Sequence, residues 1–295
     1  MACDAGCAAS HRAARREPVN PLPSGYLPDE ASATMLKRMA ALLVAALAAC
    51  ALQPAKLPPE IHLPAIGKFS DAVPGDVLPS GWRLWQLSGL KRPTEYRLID
   101  HEGRTVVFAS ARGSASGLIY PIAINLKEYP LLQWRWKVPE LIPGADNTRR
   151  ATEDSPVRVV IAFDGDKSKL PLEERLFAEQ FKAFTKQEFP YALLMYIWEN
   201  RAPVGTVIEN LHTARIRMIV ADSGDQNVGV WREHTRDVYA DFKRAFGEEP
   251  PRTRSVGIMT DSDNTGQTAH AYYGDITFVG ANDATPPIRR RAGPR

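Results

Sequence analysis

In Leu132-Gln133-Trp134-Arg135-Trp136-Lys137-Val138, apolar and polar side chains alternate residue by residue. An extended strand turns successive side chains to opposite faces, so this pattern sorts into one dry and one wet side, with Trp134 and Trp136 together on the dry one. Short apolar, β-branched or aromatic runs recur from Gly81 onward between turn residues. They predict strands at 82–87, 96–99, 105–110, 118–124, 131–138, 157–163, 193–198, 214–220, 228–231, 255–260 and 269–279. Ile99 to Thr105 reads as a hairpin with Gly103 near the end of its loop. Two helices interrupt the strands. One is expected over 171–189, with an apolar stripe of Leu172, Leu176, Phe177, Phe181 and Phe184; the other, over 236–246, buries Val238, Phe242 and Ala245 and stops at Gly247. Strands and helices do not alternate as a parallel sheet requires. The expected fold is therefore mainly β, a β-sandwich or jelly roll with two inserted helices.

Ahead of this body, Lys37 and Arg38 precede an apolar run from Met39 that ends in Leu47-Ala48-Ala49-Cys50. The run is well short of the roughly 20 apolar residues of a membrane-spanning helix, and its basic start and small-residue end are those of a secretory signal. It resembles a bacterial lipoprotein lipobox. That resemblance implies cleavage before Cys50, a lipid on its thiol and a protein held at the membrane through that lipid. Ala51 after the cysteine implies the periplasmic side of the outer membrane. Residues 1–34 then read as an upstream mis-start without order, 35–49 as the signal peptide, 50–68 as a Pro-rich tether, 69–280 as the β-sandwich and 281–295 as a disordered basic tail. Cys3 and Cys7 precede the signal, so the processed chain has no cysteine pair for a disulfide or a metal.

The formal charge is +3, but the surplus sits in the signal and the tail, and the body between them is near neutral. Nucleic-acid binding, which needs a basic stripe on the domain itself, is excluded as an expectation. No Gly-x-Ser-x-Gly elbow, His-Glu-x-x-His helix or Gly-rich phosphate loop occurs. The segment Thr260-Asp261-Ser262-Asp263-Asn264-Thr265-Gly266 follows the opening of a calcium loop, but Tyr272 stands where its final glutamate belongs. Structural Ca²⁺ at Asp261, Asp263 and Thr265 is one reading, and a turn capped by its own side chains is the other. The last strand, with Tyr272, Tyr273 and Asp275, is similar to the closing strand of carbohydrate-binding jelly rolls. That likeness makes Asp275 a further metal candidate and one of the two tyrosines a stacking platform. Trp198, Glu199 and Arg201 form a second cluster suited to a sugar ring.

Leu132 to Trp136, Asp154 to Arg158, Leu194 to Trp198, Trp231 to Asp241 and the loop from Thr260 to Gly266 together resemble the bacterial family named domain of unknown function 3047, over Gly81 to Gly280. The resemblance implies no activity. Its charged positions Asp154, Arg158, Arg236, Asp237 and Asp241 fit a buried ion-pair network as well as a ligand site. The expected function is a lipid-anchored envelope protein that binds carbohydrate or another envelope polymer. A glycan-cleaving hydrolase or lyase using Glu199 with the Asp261 and Asp263 loop is the alternative, and a purely structural lipoprotein the third reading.

Overall fold

The computed structural model describes residues 66–86 and 91–283. The signal, Cys50, most of the tether and most of the basic tail lie outside them. The described residues form twelve strands and two α-helices. In chain order these are β1 (Arg83–Gln86), β2 (Glu95–His101), β3 (Arg104–Arg112), β4 (Ala115–Pro121), β5 (Leu131–Lys137), β6 (Ser155–Phe163), α1 (Leu172–Thr185), β7 (Ala192–Glu199), β8 (Val207–Glu209), β9 (Ile216–Ser223), β10 (Arg232–Asp237), α2 (Val238–Phe246), β11 (Thr253–Asp261) and β12 (Thr268–Val279). They build two facing sheets, one ordered β1-β4-β11-β6-β7-β9-β8 and the other β10-β5-β12-β3-β2. All pairings are antiparallel except β7 with β9, so the fold is mainly β, a sandwich with two inserted helices.

Trp134 and Trp136 do share the inner face, with Leu132, Val138, Tyr273, Ile276 and Phe278 beside them. The facing sheet supplies Val157, Val159, Ile161, Phe163, Leu194, Tyr196, Trp198, Val256 and Ile258. Burying a side chain of this size contributes about 1.5 to 3 kcal/mol, so this layer holds the sandwich together. In β6 and β7 every residue is buried on both faces. The opposite side of β6, β7, β9 and β11 carries a second apolar cluster, in which Val160, Ala162, Leu193, Met195, Met218 and Met259 meet Phe177 and Phe181 of α1.

The β2–β3 turn has positive φ at both Glu102 and Gly103, as a two-residue hairpin turn demands. Helix α2 ends on Gly247 in the left-handed conformation and begins on Asp237, whose side chain accepts from the Ala240 N–H at 2.8 Å. Helix α1 is shorter than expected and differs in its faces. Phe177 and Phe181 turn inward, but Leu172, Leu176 and Phe184 are exposed. The strand expected at 228–231 is the approach to β10, which alternates half-buried and exposed residues and turns Arg232, His234 and Arg236 inward, toward Asp222 of the facing sheet and Asp241 of α2.

Candidate functional site

The second apolar cluster does not close. Between α1 and the sheet it leaves a cleft of about 660 Å³, with Val160, Ala162, Leu193, Met195, Ile216 and Met259 at its floor and Phe177, Phe181, Phe189 and Trp85 at its sides. Volume and apolar floor suit a small-molecule site, and Arg83, Lys91, Glu188, Asn210, His212 and Arg254 add polar and charged groups around it. Two glycines shape the floor: a Cβ at Gly117 would lie 2.6 Å from the Ile258 carbonyl and 3.2 Å from Trp85, and one at Gly257 would lie 2.6 Å from the Leu118 carbonyl. Trp85 lies close over Gly117, held by its indole N–H donating to Gln187 Oε1 at 3.1 Å. Helix α1 is tied at its first turn by Glu174, whose carboxylate accepts from the Thr213 hydroxyl and, at 2.8 Å, from the Ala214 N–H.

One end of the cleft is charged. Arg158, in β6 one side-chain repeat before Val160, donates from Nε to Asp261 at 3.0 Å, and both side chains are almost fully buried. Its Nη2 donates to Asn147 Oδ1 and the Glu153 carbonyl, while its Nη1 meets only the Met218 sulfur at 3.0 Å. Burial lifts the Asp261 pKa to about 6, against the pull of Arg158 and with the help of nearby Asp154. Asp263 pairs with Lys91 at 2.6 Å. Asp154 accepts from the N–H groups of Asn264 and Thr265 and from the Thr265 hydroxyl at 2.6 Å. Asp154, Asp261 and Asp263 bring carboxylate oxygens within 4.8 Å of one another, the arrangement among the described residues that a hard cation would use.

This grouping departs from the metal set read in the sequence. Thr265 serves Asp154 as a donor, and Asp275 is taken by the N–H and hydroxyl of Ser70 at 3.0 and 2.6 Å. The sugar-ring cluster is not assembled either. Trp198 is fully buried between the sheets and donates its indole N–H to the Gly224 carbonyl at 2.9 Å, so it has no face for a ligand. The Glu199 carboxylate is saturated by backbone N–H groups of Asn147, Arg201 and Ala202 and does not line the cleft. It anchors two loops, which removes it as half of a hydrolytic pair with Asp261 or Asp263. Arg201 is exposed on the turn that Glu199 holds. Tyr273 is buried, and its hydroxyl donates to the Met259 carbonyl at 2.6 Å. Tyr272 is half-buried on the other sheet's outer face, one side stacked on His101 at 4.4 Å.

The charged positions fall into two separate groups. Arg158, Asp154 and Asp261 belong to the cleft. Arg236 makes a two-point pair with Asp241, which also accepts from the Tyr196 hydroxyl at 2.8 Å, while Asp237 caps α2. A third group, missed in the sequence, is Asp222 with His234, Arg232 and the Trp136 indole N–H. Burial opposes ionisation of Asp222, but these donors hold its pKa below the usual carboxylate range. Arg232 and His234 thus stitch the two sheets through Asp222, and Arg236 joins them through Asp241 of α2 and Tyr196.

A family model described as protein of unknown function (DUF3047) matches residues 80–277, which includes all three charged groups and the cleft. The chain belongs to the DUF3047 family. No curated protein matches it. Among solved structures, the cellulose-induced protein Cip1 is similar at 9% identity and a TM-score of 0.29, over 70% of this chain and 97% of that one. A likeness so distant says nothing about the chemistry of the DUF3047 cleft.

Proposed function

We propose that this DUF3047 protein is a lipid-anchored envelope protein, attached through Cys50, that binds a small amphipathic molecule in the cleft beneath α1. The ligand has an elongated apolar body, of the acyl or isoprenoid kind, and a polar head. The observation that carries this is the composition of the cleft: aliphatic floor, phenylalanine sides and a charged end at Arg158 and Asp261. A glycan needs hydrogen-bonding partners for its hydroxyls all along its length, and an aliphatic floor leaves them unpaired. An apolar chain loses nothing there and gains by leaving water. The head would meet Arg158 Nη1, which has only a weakly accepting sulfur as partner.

Photolabelling tests this reading. A fatty acid carrying a diazirine on its chain is incubated with the full chain, irradiated and mapped by mass spectrometry. Labels are expected on peptides containing Val160, Phe177, Phe181 and Met195. Labels confined to other regions would overturn the cleft as the site.

Carbohydrate binding keeps one specific support. On the outer face of the five-stranded sheet Trp231 and Tyr272 lie 6.4 Å apart between ring centroids, with the Arg135 guanidinium over Trp231 at 4.5 Å and Lys137 paired to Glu102 nearby. Aromatic rings among hydrogen-bonding groups suit a sugar ring. Probing a glycan array with the full chain separates this second reading from the first.

A further inference from the structure

Helix α1 presents apolar side chains to both sides. Phe177 and Phe181 face the cleft, yet Leu172, Leu176 and Phe184 are 63%, 53% and 84% exposed. At 3.6 residues per turn Leu172, Leu176 and Ala183 fall on one arc, exposed Gln180 and Glu173 separate it from Phe184 beside the cleft-facing phenylalanines, and exposed Glu179, Arg175 and Lys182 border it on its other side. Phe184 thus carries exposed apolar surface to the edge of the cleft-facing pair, while the Leu172 and Leu176 arc lies beyond the intervening Glu173 and Gln180. Glu173 and Glu179 offset the two cations, so the arc carries no strong net charge.

We infer that the outer arc of α1 docks on a lipid bilayer surface, and that the cleft receives its ligand from that surface rather than from water. An amphipathic helix whose apolar arc is flanked by long charged side chains lies in the interface plane, driven mainly by apolar burial. The chain permits this placement: the sixteen steps from Cys50 to Ile66 reach at most about 55 Å when extended, so a domain anchored by lipid at Cys50 can rest on the same bilayer. The source of the ligand rests on the cleft reading above, whereas the docking surface rests on α1 itself.

Hydrogen–deuterium exchange on the full chain, with and without phosphatidylcholine vesicles, reads α1 separately from the apolar leader. In the wild type, exchange of peptides within 172–185 is expected to slow several-fold when vesicles are added. The triple variant Leu172→Ser/Leu176→Ser/Phe184→Ser should lose that slowing and still take the diazirine fatty acid into the cleft. Phe184→Asp alone, at the most exposed position, should reduce it and guards against misfolding of the triple variant. Wild-type exchange indifferent to vesicles, or slowing that survives in both variants, would overturn the inference. So would slowing that follows protein concentration without vesicles, since the occupant of the arc is then a second copy of the chain. A wild type whose α1 responds to vesicles but whose cleft takes no label leaves the docking surface intact and removes the ligand reading instead.

Discussion

Asp261 concentrates the chemistry of the charged end, because burial raises its pKa to about 6 while an unfolded aspartate titrates near 3.9. Between those two values the folded chain keeps a proton that the unfolded chain has released. Stability from this group is therefore complete below about pH 4 and declines as pH rises through about 6, by on the order of 3 kcal/mol. The direction is opposite to that of a carboxylate whose pairing lowers its pKa. Asp261→Asn cannot titrate, so urea unfolding from about pH 4 to 7 should give this variant a flatter dependence of stability on pH than the wild type. Parallel curves would show that Asp261 titrates alike in both states. Trp198 teaches the converse lesson about single residues: a tryptophan beside a carboxylate, an amide and a guanidinium has the composition of a sugar site, and only burial distinguishes it from one.

At the scale of elements, what the sequence displays is period and punctuation. The two helices, the β2–β3 hairpin, the tryptophan face of β5 and most strands were legible because alternation, glycine stops and turn residues are local signals. Strand β10 was not, because its inward residues Arg232, His234 and Arg236 are polar, the first two meeting Asp222 of the other sheet and the third Asp241 of α2. Helix α1 was legible as a helix but not in its orientation, since five apolar residues span too wide an arc to name the buried side. For the same reason the cleft, whose walls come from several separate stretches of chain, left no contiguous motif; the apolar run from Val159 to Phe163 in β6, buried on both faces, was its one signal. Asp154 was visible as a charged family position but not as the third carboxylate of the Asp261 loop. The start of α2 provides a quantitative check. Removing an N-cap acceptor exposes an unpaired N–H, so Asp237→Ala should lower stability by about 1 kcal/mol, seen as a shifted urea midpoint with unchanged slope. An unmoved midpoint would mean that water replaces the cap without loss.

At the scale of the whole molecule, the sandwich needs its inner layer and its stitched side to stand, but it does not need an open apolar cleft on its outside. Nothing in the packing of the two sheets requires that space, and a protein interior is normally filled to the density of an organic crystal. An unfilled apolar groove covered by a single helix is therefore best explained by what enters it. Val160, at the floor and only 4% exposed, offers the cleanest intervention, because a larger side chain there occupies the cleft without touching the inner layer. The decisive measurement is the dissociation constant of a fluorescent polyene fatty acid for the full chain carrying Val160→Trp, beside its thermal unfolding. Binding about tenfold weaker or worse, a loss of at least ~1.4 kcal/mol, is expected in a protein that still unfolds cooperatively, with stability lowered by no more than the about 1–3 kcal/mol that overpacking costs. Wild-type affinity in a folded Val160→Trp protein would contradict the cleft as the binding site.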